Sequence, residues 1–155
     1  MAGKIDNRTM SIFFDSGSSN SYVAPSVVWN CYLKKINLEV VGLVQLETGT
    51  KRKFTKIVIR CPLEMKGLNT LAYLNVITLG SYDVLIGMGW LTTYWSILDC
   101  YNKTYTCLDE EWKIVTVKGI HGPIYLRQVT ALDYKKCFRI GYHIYASHLE
   151  ETKEK

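Results

Sequence analysis

At 155 residues the chain has room for one domain and an appendage, and 48% apolar with 21% charged residues is a globular balance that excludes a disordered or collagen-like polymer. Nineteen basic against 14 acidic residues leave a formal charge of +5, scattered except at Lys51-Arg52-Lys53, so no cationic, aromatic-studded face marks a nucleic-acid binder. No apolar run approaches the ~18 residues that span a membrane, and the opening Met-Ala-Gly-Lys-Ile-Asp lacks the apolar core of a signal peptide, which points to a protein that is not secreted.

The compact apolar run at 10–15 reads as a short buried strand, followed by a Ser/Gly turn at 16–20 and a return to extended chain at 22–24 before Pro25. Val- and Ile-rich strands are expected at 37–47 and 54–61, joined by a polar tip that contains Gly49. A further apolar strand falls at 70–79, then a turn at 80–83. Val84-Leu85-Ile86 is a buried strand that runs into Gly87, and 90–95 reads as a short helix. Segments 96–99 and 104–108 pair around Tyr101-Asn102-Lys103, and 112–117 is a last strand. Beyond Lys118 the texture changes: a linker at 119–122, a short helix at 131–138, a strand at 142–147 and a charged end. The pattern is mainly β, a small closed barrel with one short helix over residues 1–117, and a C-terminal extension over 118–155.

Five cysteines (Cys31, Cys61, Cys100, Cys107, Cys137) form no Cys-x-x-Cys pair, and the three histidines have no metal-ligand spacing, so neither a metal nor a cofactor is expected. Packed, reduced thiols fit a cytoplasmic, reducing compartment. Cys100 and Cys107 flank a hairpin turn and are placed to face each other.

The chemistry concentrates at Asp15-Ser16-Gly17-Ser18. An apolar strand ends in a carboxylate, and a small hydroxyl residue, a glycine and further hydroxyls follow. This layout holds an Asp at a tight turn, with Gly17 allowing close backbone approach and the Ser18 hydroxyl in reach of the carboxylate. The same triplet also fits an ordinary Asx-type turn between strands. Asp83 and Asp99 lack a following hydroxyl and Gly and read as turn residues. Trp90, Trp95 and Trp112 read as core or dimer packing.

A second segment changes the weight of the two readings of the triplet. Asp83-Val84-Leu85-Ile86-Gly87-Met88-Gly89-Trp90-Leu91 is a buried strand ending in Leu-Ile-Gly, followed by Met-x-Trp-Leu and a short helix. Together with Asp15-Ser16-Gly17 it resembles the signatures of retropepsin-like aspartic proteases, in particular those of Ty3/gypsy-type retrotransposon polyproteins. The resemblance implies a retropepsin-type barrel working as a homodimer, because the chain carries the Asp motif once. It implies catalysis by Asp15 with its turn residues Ser16, Gly17 and Ser18, and support of that loop by Leu85, Ile86 and Gly87. It implies a flap over the substrate at Thr48, Gly49 and Thr50, which by itself also reads as a surface hairpin. The implied partners are a second copy and a peptide or polyprotein substrate, with no membrane and no nucleic acid for this domain. The tail resembles the connector that precedes reverse transcriptase in plant elements. Where the family carries an acidic residue between Met and Trp, this chain has Gly89, a loss expected to remove a helix cap at a cost of ~0.5–1 kcal/mol. The implied function is an aspartic endopeptidase processing a Gag-Pol polyprotein. The alternative is a catalytically inactive retropepsin-like module for binding or assembly.

Overall fold

Apolar alternation builds the first hairpin: Ile5 is buried on β1 (Ala2–Ile5), and Met10 and Ile12 on β2 (Arg8–Phe14), its antiparallel partner. The turn between them, Asp6-Asn7, has φ of 51° and 59°, the left-handed backbone that two-residue hairpins use and that Asp and Asn tolerate. The computed structural model describes residues 1–45, 49–109 and 111–119. The chain divides into two units, Met1–Pro123 and Ile124–Lys155, and every described residue lies in the first. The helix expected at 131–138 and the strand at 142–147 fall outside the described residues.

After the loop at 15–20 come β3 (Ser21–Val23) and α1 (Pro25–Asn30), which buries Val27 and Val28. This helix corrects the expectation of a single one. Its β-branched valines and Trp29 have weak helix propensity, so Pro25 in the first turn is the local start signal and burial of one face supplies the stability. β4 (Lys35–Gln45) and β5 (Lys51–Met65) form a long antiparallel hairpin, and β6 (Leu68–Val76) returns along β5. β7 (Val84–Ile86) runs parallel to β2 and antiparallel to β3, and α2 (Met88–Thr93) begins immediately after Gly87.

The seven-stranded sheet has the order β1-β2-β7-β3-β6-β5-β4. A further pairing of β1 with β5, at Lys4 and Glu64, closes all but β4 into a barrel. The chain therefore has the mainly β, closed-barrel fold that its sequence pattern implies. β8 (Ile97–Asp99), β9 (Thr104–Leu108) and β10 (Ile114–Lys118) form a separate three-stranded antiparallel sheet in the order β10-β9-β8.

Inside the barrel, Ile12, Val23, Met65, Leu74, Val84 and Ile86 are at most 1% exposed. Each such side chain contributes roughly 1.5–3 kcal/mol by leaving water. A smaller cluster of Tyr22, Phe54 and Ile77, joined by half-buried Leu38, Val44, Leu79 and Leu85, ties the β4–β5 hairpin to β3 and β7. The Phe54 ring meets Tyr22 edge-on at 5.8 Å and occupies the space that a Cβ on Gly42 would need.

Cys31, Cys61 and Cys107 are buried free thiols, whereas Cys100 is exposed. The hairpin register pairs Asp99 with Thr104 and places Cys107 opposite Val115, so Cys100 and Cys107 do not face each other. Burial pushes the Cys61 thiol up to about 11, with a smaller contribution from Cys31, and also raises Cys31 and Cys107. Such thiols stay protonated at neutral pH. Of the three tryptophans expected in packing, Trp90 is buried, while Trp95 and Trp112 are exposed on this chain.

Candidate active site

β2 delivers Asp15. Phe14, the last residue of that strand, stacks on Tyr105 at 4.8 Å and packs near Trp90 at 6.1 Å, which fixes the strand end against the core. Burial pushes the Tyr105 phenol well above its ordinary range, so the ring stays neutral. Phe13, on the opposite face of the strand, stacks on Tyr82 at 4.6 Å. One residue on, the half-buried Asp15 continues the parallel ladder: its N–H donates to the Ile86 carbonyl at 2.9 Å.

The chain then turns back on itself. The Asp15 carboxylate accepts the Gly17 N–H at 2.9 Å through Oδ1, an Asx turn, and the Asp15 carbonyl accepts the Ser18 N–H at 3.2 Å. A Cβ on Gly17 would stand 3.1 Å from Oδ1, so glycine leaves that carboxylate oxygen uncrowded. Ser16 is exposed on the loop. The Ser18 hydroxyl donates to the Asn20 carbonyl at 2.8 Å. It therefore closes the loop, which corrects the expectation that it hydrogen-bonds the carboxylate.

The loop is held from behind by the strand that threads between its two ends. β7 lies between β2 and β3, and the chain just after it takes up the loop's backbone groups. The Gly87 N–H donates to the buried Ser21 hydroxyl at 3.0 Å. The Met88 N–H donates to the Ser18 carbonyl at 2.7 Å, and the Gly89 N–H to the Ser19 carbonyl at 3.0 Å. This approach requires glycine at 87, where a Cβ would lie 2.2 Å from the Asn20 oxygen and 2.6 Å from the Ser18 oxygen. Ile86 is fully buried in the barrel core, and Leu85 turns to the Tyr22–Phe54 cluster on the other face.

These contacts also change the meaning of Gly89. α2 has no side-chain cap and no acidic residue in its first turn. Two of the N–H groups that a cap would serve are already taken by Ser18 and Ser19 carbonyls, so the loop itself caps the helix. A Cβ at 89 would sit 3.2 Å from the Ser19 oxygen, a tight fit for any side chain.

Of the proposed flap residues, Gly49 and Thr50 are described and Thr48 is not. Gly49 has φ +78° with nothing within 4 Å of a Cβ built on it, and Gln45 pairs with Lys51 across the hairpin it caps. Asp83 and Asp99 have structural partners, Asp83 across to β2 and Asp99 within its own turn. Asp83 accepts the Ser11 N–H and hydroxyl, both at 2.8 Å. Asp99 accepts the Asn102 N–H and side-chain amide, which hold its carboxyl below the usual range.

Ser21 is the supporting residue that the motif reading missed. Its signal was a hydroxyl next to an apolar strand and directly after the Ser/Gly loop; at 5% exposure it needs a partner, and the Gly87 N–H is that partner. Among the described residues no cluster of His, Cys, Asp or Glu could hold a metal, and no helix is long and apolar enough to cross a membrane.

Chemically, the site presents a half-buried carboxylate on a loop braced by backbone hydrogen bonds. The retroviral protease-like domain of Ddi1 from Leishmania major has the same fold: it is 18% identical, with a TM-score of 0.60 over 80% of this chain and 94% of that one. A Legionella pneumophila protein of unknown function matches 59% of this chain and 82% of its own at 12% identity, but its TM-score of 0.37 supports no argument. A search of curated proteins gave no match. Over residues 3–113 the sequence matches the retroviral aspartyl protease family, and the chain belongs to that family.

Proposed function

We propose that the chain is a homodimeric aspartic endopeptidase that processes the Gag-Pol polyprotein of a Ty3/gypsy-type retroelement, inside the element's cytoplasmic particle. The observation that supports it best is the Asp15 loop, braced by residues 86–89 with its carboxylate only half buried. One carboxylate cannot both activate a water and protonate the substrate. Two copies about a two-fold axis bring Asp15 beside the partner's Asp15. Like charges that close share one proton, which pushes their pKa values apart; the aspartic-protease dyad is the standard instance of this effect. The ionised member takes a proton from water, and the protonated member polarises the scissile carbonyl. The step uses no metal and no cofactor.

The substrate is an extended peptide that adds as a strand, with mainly apolar side chains in alternating pockets, beneath the hairpin tip at Thr48, Gly49 and Thr50. Residues 1–117 form the protease and residues 118–155 the connector to the next enzyme of the polyprotein.

The test is cleavage of an apolar peptide at pH ~5, where such a dyad holds its single proton, by the wild type and by Asp15→Asn, with molar mass recorded at the assay concentration. A dimeric wild type that cleaves, beside a folded variant reduced to background, is the expected result. Turnover retained by Asp15→Asn would overturn the assignment. The second reading, a non-catalytic module, is favoured by the Ser18 hydroxyl, which closes the loop at Asn20 and leaves the carboxylate without it. A confirmed dimer that cleaves nothing would move the assignment there.

A further inference from the structure

Lys51-Arg52-Lys53 is the tight basic cluster of the sequence, and β5 splits it between two faces of the hairpin. Lys51 and Lys53 are exposed on the outer face, paired with Gln45 and Leu43. Arg52 is half-buried on the inner face, paired with Val44 and one pleat away from the buried Phe54. Its Nη1 donates to the Thr78 carbonyl at 3.4 Å, next to Leu79 in the chain. That long bond leaves most of the guanidinium's donors unused, and among the described residues no carboxylate pairs with it.

The face that Arg52 joins is the one that carries Asp15. Phe13 and Tyr22 both pair with Leu85, so the three share one face of the sheet, and Asp15, two residues on from Phe13, continues it. Half-buried Val44, Leu79 and Leu85 gather there on the buried Tyr22, Phe54 and Ile77. Such side chains, lying between a hairpin and a carboxylate loop, are the lining that an extended peptide would cover. A cation on this lining does not suit a purely apolar occupant. A guanidinium covered by apolar atoms and left unpaired costs free energy, whereas a carboxylate takes it up through two parallel N–H···O bonds.

We propose that Arg52 is a specificity residue, which selects a substrate peptide carrying a glutamate side chain in the pocket bordered by Val44, Leu79 and Arg52. The inference rests on the protease reading and names its substrate class: an extended, otherwise apolar peptide with an acidic position. The apolar stem of a glutamate covers Val44 and Leu79 while its carboxylate meets the guanidinium. Lys51 and Lys53, on the outer face of the same strand, add positive potential that draws an acidic peptide toward the hairpin. In a two-fold dimer the pocket occurs in both copies, so the preference falls at symmetry-related positions on either side of the scissile bond.

The test uses the full chain and apolar peptides in which Glu, Gln or Lys is placed in turn at each position around the scissile bond. Cleavage is followed at pH ~5.5, where a peptide glutamate is ionised. The wild type is expected to favour Glu over Gln by about ten-fold in kcat/KM at one position and its mirror, mainly through KM, and less so at high salt. Arg52→Gln is expected to lose that ratio, and Arg52→Glu to favour Lys over Glu at the same position, both with unchanged circular dichroism. Lys51→Gln, which removes a charge from the outer face, is expected to keep it. A wild type that cleaves with no Glu preference, an Arg52→Gln that retains the preference, or an equal loss in Lys51→Gln would each overturn the proposal and leave the protease standing. If no peptide is cleaved, the same peptides are labelled and their binding read by fluorescence anisotropy. A Glu preference that depends on Arg52 then keeps the pocket and removes the protease, and its absence removes both.

Discussion

Gly87 and Gly49 sit in the two segments assigned to one site, and each is glycine for a different reason. At Gly87 two backbone segments pass so closely that no Cβ fits, with the Asn20 oxygen 2.2 Å from where it would lie. At Gly49 space is open, and only the φ of +78° asks for glycine. The loop that carries the carboxylate is clamped on both sides by hydrogen bonds to β7 and the start of α2, whereas a Cβ built on Gly49 meets nothing within 4 Å. The proposed protease would use the first property to hold Asp15 and the second for a hairpin tip that moves over substrate.

Three substitutions grade this contrast. Gly87→Ala should be the most damaging, because the atoms a methyl would strike are backbone oxygens that cannot rotate away. We expect a loss of about 3 kcal/mol in urea unfolding, with cleavage abolished as the Asp15 loop shifts. Ser21→Ala comes next: it leaves the buried Gly87 N–H without its acceptor, a loss of about 2 kcal/mol with a smaller fall in activity. Gly49→Ala should be the mildest for stability, about 1 kcal/mol from the left-handed φ alone, and should act on substrate affinity more than on the fold. Equal unfolding free energies for Gly87→Ala and Gly49→Ala would break the contrast. A Ser21→Ala variant as stable as the wild type would show that water replaces the hydroxyl.

Parts of this architecture were legible from local pattern. Val84-Leu85-Ile86 is a continuous apolar run stopped by glycine, and β7 has those bounds. β9 was equally plain, and β8 began one residue later than its pattern suggested. α1 was missed because its valines and tryptophan carry a strand-like preference that burial of one face overrode. β1 was missed because only Ile5 signals it strongly; its pairing is set by the Asp6-Asn7 turn and by Glu64 from a distant strand. The facing of Cys100 and Cys107 failed on register, which a turn of uncertain length leaves undetermined.

The sequence by itself determined the mainly β character, the Asp15 turn and the Leu-Ile-Gly strand, because strand periodicity, turn chemistry and a motif are carried by neighbouring residues. Tertiary structure alone decided which groups meet across the chain: β7 threading between β2 and β3, the Ser21 hydroxyl on the Gly87 N–H, the Ser18 and Ser19 carbonyls capping α2, and the barrel closure at Lys4 and Glu64. The physical reason is that such contacts depend on which backbone groups are left unpaired once every strand has found its neighbours, and that accounting closes only when the whole barrel is assembled.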